Sequence, residues 1–183
     1  FNDGGCGDAM IAGSFSLAPD TAASPGLVVG CPDAEVPSVY VIPQSMMLVD
    51  VGNLLSSGAQ LLEDVPLESE GFGETLAVGD FNSDGFDDVV VGAPMSDLDC
   101  EVGNCGAVHV FQGPQIDGTT LGFAHMTITG SDRNDQLGHS LVTGDLDGDG
   151  ADDLLLGTEL GWPGSDPKKG AVLMYSGPSL SPG

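Results

Sequence analysis

Apolar residues along this chain come in short runs rich in Val, Leu and Ile, each closed by Gly, Pro, Asn or Asp. Runs of that kind read as strands joined by tight turns. No stretch sustains a helical period, and Met46 to Leu62 is the apolar region whose pattern is least distinct. The pattern predicts strands near 8–13, 27–31, 38–42 and 59–64, then 74–79, 88–92, 106–112 and 124–129, then 139–144, 153–157 and 170–176. The expected class is all-β.

The runs recur. Gly73 to Gly92 (GETLAVGDFNSDGFDDVVVG) superposes on Gly138 to Gly157 (GHSLVTGDLDGDGADDLLLG) at an offset of 65, with nine identities in twenty positions. Gly106 to Pro114 answers Gly170 to Pro178 at an offset of 64, and worn copies stand at Gly7 to Gly13 and Leu27 to Pro32. Three repeats follow, at 1–69, 70–134 and 135–183, the last without a fourth strand. Four-stranded units repeated radially are the blades of a β-propeller. A parallel β-solenoid is the rival, but its repeats are much shorter than this period and carry no hairpins. Three blades do not close a ring, so a second chain or flanking segments are expected to complete it.

Charge narrows the functions. Three basic residues, Arg133, Lys168 and Lys169, stand against 28 acidic ones, for a net charge of −25. No surface can neutralise many phosphates, which excludes nucleic acid as a partner. Every hydrophobic stretch is interrupted before the roughly 18 residues that a membrane helix needs, so no insertion is expected. The apolar share of 40% still provides for a core. The chain opens at Phe1 without a secretion signal, as a processed form or an excised piece does. Cys6, Cys31, Cys100 and Cys105 are even in number and lack a CxxC pattern, which favours disulfides over free thiols.

Two acidic loops carry the candidate chemistry. Asp80-Phe-Asn82-Ser-Asp84-Gly85-Phe86-Asp87-Asp88 and Asp145-Leu-Asp147-Gly-Asp149-Gly150-Ala151-Asp152-Asp153 both read D-x-[DN]-x-D-G-x-D-D. Oxygens at positions 1, 3 and 5 point inward, the glycine at 6 allows the turn, and position 7 (Phe86, Ala151) offers its carbonyl. Asp88 and Asp153 at position 9 complete an all-oxygen cage suited to calcium. An EF-hand is ruled out because position 12 is Val91 or Leu156 and strands flank the loop. Magnesium would keep more waters, and zinc would want His or Cys. His109, His125 and His139 fall on different strands and read as ordinary strand residues. Asp-Gly clusters also cap plain hairpin turns without an ion, but two copies this acidic would repel strongly without a cation. The first repeat has Ser14 and Ser16 at positions 1 and 3, so no ion is expected there. Two calcium ions would bring the net charge from −25 to −21.

Phe72-Gly73, the acidic loop and Gly92-Ala93-Pro94 together resemble an FG-GAP repeat, the blade of integrin α-subunit propellers and of related bacterial surface proteins. The third repeat departs at Leu137-Gly138 and Gly157-Thr158-Glu159, and the first keeps only Cys6-Gly7 and Gly30-Cys31-Pro32. The scarcity of Lys and Arg points to a bacterial homologue. The resemblance implies a ring of six or seven blades, calcium loops on the bottom face, and ligand-meeting loops on the top. Loops 94–105 and 158–169 are then the ligand-face candidates, the second carrying Trp162, Lys168 and Lys169. Cys100 and Cys105 are close enough to staple the first of these loops. Cys6 and Cys31 should be neighbours across the first hairpin.

The function expected is a calcium-stabilised, secreted or cell-surface adhesion module for a protein or glycan ligand, without catalysis of its own. Two alternatives are weighed beside it. One is the propeller part of a secreted polysaccharide-degrading enzyme, for which spare paired carboxylates with a basic or Tyr helper are lacking. The other is an architectural spacer that binds nothing.

Overall fold

The computed structural model of the chain describes residues 6–7, 9–15, 22–34, 37–44, 60–62, 70–101, 103–113, 124–159 and 170–180. Among the described residues are eleven strands: β1 Met10–Phe15, β2 Ser24–Cys31, β3 Ser38–Pro43, β4 Gln60–Leu62, β5 Thr75–Gly79, β6 Asp88–Ala93, β7 Ala107–Phe111, β8 Met126–Thr129, β9 Ser140–Gly144, β10 Asp153–Gly157 and β11 Val172–Tyr175. A 3-10 turn, Gly177–Leu180, follows the last. They form three antiparallel meanders, β1-β2-β3-β4, β5-β6-β7-β8 and β9-β10-β11. Each meander falls within one sequence repeat, and the first strands β1, β5 and β9 lie side by side. This is the radial arrangement of propeller blades.

The cores lie between blades. Along β6, Val89, Val91 and Ala93 pack with Val28, Val39, Val41 and Leu62 of the first blade. Val90 points the other way, with Val108 and Val110, onto Leu154 and Leu156 of the third. The period of two along a strand therefore serves two different cores, and β6 reads as an unbroken apolar run because both of its faces are covered.

The residues that open and close a repeat are explained by this packing. Phe72 is fully buried in the core between blades one and two, edge-on to His109 and Phe111 with ring centroids 5.4 and 6.2 Å away. Leu137 holds the matching place between blades two and three. A Cβ on Gly92 would meet the carbonyl oxygen of Gly138 at 2.6 Å, and one on Gly30 would collide with the carbonyl of Gly73. The closing glycine of one blade thus lies against the opening glycine of the next, where no side chain fits. Thr75 Oγ1 crosses the same boundary to donate to Gly138 O at 2.5 Å, and Thr143 Oγ1 donates to Val78 O at 2.6 Å.

Two disulfides are present, Cys6–Cys31 and Cys100–Cys105. The first is reinforced by the Gly7 N–H, which donates to Gly30 O at 2.8 Å. Past the second, residues 103–106 run beside 134–137: Asn134 N–H donates to Gly103 O at 3.1 Å and Leu137 N–H to Cys105 O at 3.0 Å. The bridge therefore holds a segment that zips the second blade to the lead-in of the third.

The first hairpin is longer than the sequence predicts. β1 runs on through Ser14 and Phe15, which pair with Pro25 and Ser24. Ser14 matches Asp80, whose carboxylate in the second blade gathers the amides of the turn; without that carboxylate the ladder simply continues.

Candidate metal centres in the first-to-second-strand loops

β5 ends at Gly79 and β6 opens on Asp88, while β9 ends at Gly144 and β10 opens on Asp153. Each acidic loop is thus the connection of a hairpin. In the third blade the chain turns through left-handed backbone at Gly148 (φ 82°) and Gly150 (φ 93°); in the second the same places are Ser83 (φ 57°) and Gly85 (φ 87°). A Cβ on Gly85, Gly148 or Gly150 would meet nothing within 4 Å, so it is the backbone angle and not space that calls for glycine there.

Those angles alternate with residues whose side chains fold back onto loop amides. Asp145 Oδ1 accepts from Gly148 N–H (2.7 Å) and Oδ2 from Gly150 N–H (3.1 Å). Asp147 accepts from Asp149 N–H (3.0 Å) and Asp149 from Ala151 N–H (2.9 Å). In the second blade Asp80 accepts from Asp84 N–H (3.0 Å) and Gly85 N–H (2.9 Å), Asn82 from Asp84 N–H (2.9 Å), and Asp84 from Phe86 N–H (2.9 Å). In the third blade positions 1, 3 and 5 are thereby aimed at a common centre. Asp145, Asp147 and Asp149, all exposed, bring carboxylate oxygens within 4.8 Å of one another. Each of these oxygens keeps a lone pair beyond its amide contact. An all-oxygen set in a flexible loop fits a hard cation of calcium's kind.

Asp88 and Asp153 stand differently from their exposed neighbours. Both are fully buried. Asp88 accepts from Phe81 N–H (3.3 Å) and from Gly113 N–H (2.7 Å), and Asp153 from Leu146 N–H (2.9 Å) and Gly177 N–H (3.2 Å). Position 9 therefore also clamps the loop to the end of the third strand, a role that spacing alone does not suggest. Burial pushes the Asp88 carboxyl up to about 7, against the two backbone N–H groups, and the Asp84 and Asp80 charges add to the rise. A cation among the three would reverse that tendency. Phe86 and Ala151 occupy the position-7 place in the two loops.

Sequence reasoning passed over position 8. Asp152 Oδ2 accepts from Asp80 N–H (3.0 Å) while its own N–H donates to Asp80 O (2.9 Å). Asp87 does the same to Ser14 of the first blade, at 2.6 and 2.8 Å. Both aspartates reach the preceding blade rather than their own loop. The doubled Asp-Asp in both repeats was the signal, since two adjacent carboxylates at the start of a strand take partners in different places, position 8 on the preceding blade and position 9 on its own.

Trp162, Lys168 and Lys169 lie outside the described residues, as do residues 16–21 of the first blade's loop. Of loop 94–105, Pro94, Ser96 and Cys105 are buried and residues 103–105 contact the lead-in of the third blade, while Asp97, Asp99 and Glu101 are exposed. His109 is a buried strand residue whose Nδ1 lies 3.2 Å from Thr127 Oγ1. No helix among the described residues is long and apolar enough to cross a membrane.

Fold and loops together define a run of β-propeller blades with acidic first-hairpin connections. The sequence model of the FG-GAP repeat matches residues 72–111. Integrin alpha-5 of Xenopus laevis is 34% identical over 97% of this chain, and human integrin alpha-7 is 36% identical over 68% of it. Human phosphatidylinositol-glycan-specific phospholipase D is 40% identical over 60%. The chain spans only 16%, 10% and 13% of these relatives respectively. The chain thus carries an FG-GAP repeat at 72–111 and is integrin α-like over nearly its whole length.

Proposed function

We propose that this chain is an extracellular propeller module whose second and third blades are stabilised by calcium, and that the assembled propeller binds a protein or glycan ligand without catalysing a reaction. The observation that carries the reading is the convergence of the Asp145, Asp147 and Asp149 carboxylates within 4.8 Å on a hairpin connection, repeated in pattern by Asp80, Asn82 and Asp84. Asp88 and Asp153, with the carbonyls of Phe86 and Ala151, complete the two donor sets. The ion supplies charge neutralisation, and its binding free energy adds to that of the folded state. The two disulfides suit an oxidising, extracellular setting, as do the integrin relatives.

Calcium at millimolar concentration is expected to raise the melting temperature over that in EDTA, and Asp145→Ala or Asp149→Ala to remove one of two binding events in a calorimetric titration. Equal melting in calcium and EDTA would overturn the reading.

The likeness to a phospholipase D favours a second reading, a non-catalytic propeller attached to an enzyme. A glycan and extracellular-matrix array separates these: ligand capture supports the adhesion module, and an empty array supports an attached or architectural propeller.

A further inference from the structure

We propose that Asp152 couples the two acidic loops, so that a cation held at 145–153 tightens the loop at 80–88 beside it. The inference rests on the calcium reading and adds to it a residue that is no ligand. Asp152 sits between Ala151 and Asp153, positions 7 and 9 of its own loop, yet both of its hydrogen bonds go to the preceding blade, N–H to Asp80 O at 2.9 Å and Oδ2 from Asp80 N–H at 3.0 Å. Asp80 is position 1 of its loop, and its carboxylate gathers the Asp84 and Gly85 amides. A second bond crosses nearby, from Ser83 Oγ to Gly150 O at 3.0 Å. The approach is close: a Cβ on Gly79 would meet Asp152 Oδ2 at 3.0 Å, and one on Gly177 would meet Phe81 O at 2.8 Å and press on Asp152 O.

The same reciprocal pair joins Asp87 to Ser14, where the first blade has no carboxylate at position 1. Blade packing therefore sets the latch, with or without a cage on the far side. When residues 151 and 153 are fixed on an ion, Asp152 loses its freedom with them, and the Asp80 backbone it grips is ordered in advance. The neighbouring loop then closes on its own ion with less entropy left to lose. Repulsion between the two ions opposes this, but the loops are exposed and salt screens it.

The test is a calorimetric calcium titration of four proteins: wild type, Asp149→Ala, Asp152→Ala and the double variant. Asp149→Ala should weaken calcium at 80–88 by about fivefold or more, the low end for coupled sites, and should have no such effect once Asp152 is Ala. The cycle cancels the direct loss of the Asp152 charge. The same factor in both backgrounds overturns the coupling while leaving the calcium reading intact; no calcium heat in wild type overturns both. If Asp152→Ala does not fold, hydrogen exchange decides. In Asp84→Ala, shown by stoichiometry to bind one ion, calcium should slow exchange of the Asp80 amide, and an unchanged rate sinks the proposal.

Discussion

Asp88 and Asp149 are both acidic-loop residues, and their variants should behave differently. Asp88→Ala strips acceptors from two backbone N–H groups, those of Phe81 and Gly113, at a buried site. Leaving buried donors unmatched costs about 1–3 kcal/mol each. Urea unfolding in EDTA should therefore show Asp88→Ala destabilised by at least about 2 kcal/mol, and exposed Asp149→Ala hardly changed. Acidity provides a second handle on the same residue. The folded-state value of about 7 for Asp88 is raised above the ordinary carboxylate range. Its contribution is thus present below the unfolded value and is lost as pH rises through about 7. In EDTA, wild type should lose stability between pH 4 and pH 7 relative to Asp88→Asn, as followed by melting at each pH. Position 9 was legible as an acidic site from spacing. Its second duty was not, because Gly113 is 25 residues away and only the folded blade brings its N–H to the carboxylate.

At the scale of strands and turns, glycines that look alike in sequence do unlike work. Gly92→Ala drives a Cβ against Gly138 O of the next blade and against Thr75 Oγ1, so a loss of about 2–4 kcal/mol is expected, in the range of large steric defects. Gly85→Ala meets nothing and bears only its φ of 87°, at about 1–2 kcal/mol. Chemical denaturation of the two variants ranks them. The disulfides separate in the same way: the Cys6–Cys31 bridge spans 25 residues and Cys100–Cys105 spans 5. Loop-closure entropy makes removal of the first cost about 3.5 kcal/mol and of the second about 2 kcal/mol, a difference that Ser double variants would show. Nearly every strand and both bridges could be placed from apolar runs and repeat alignment. β1 and β2 were the exceptions at their shared turn, where β1 runs on through buried Phe15 and β2 opens at Ser24, the first repeat having Ser14 in place of a carboxylate.

Over the whole molecule the far face of the third blade stands out. Val142, Leu146, Val172 and Met174 are each more than half exposed. Their equivalents in the second blade, Ala77, Phe81, Val108 and Val110, are buried against the third. The same positions are thus covered wherever another blade follows, and we propose a further FG-GAP blade as their cover. Sedimentation of the chain with and without calcium checks this. A dimer supports two three-blade halves closing one ring and should be broken by Met174→Asp with Val172→Asp, whereas a monomer points to flanking blades of a longer polypeptide.

Repeat period, strand order, acidic loops and cysteine pairs were all set by local pattern, because turn formers, alternation and carboxylate spacing act over a few residues, the acidic spacing recurring in the second and third units. What the tertiary structure alone decided lies at the blade boundaries. Gly30 against Gly73, Gly92 against Gly138, Asp87 on Ser14 and Asp152 on Asp80 join residues more than 40 positions apart. Their meaning comes from how twisted sheets stack around an axis, a packing that no single repeat contains.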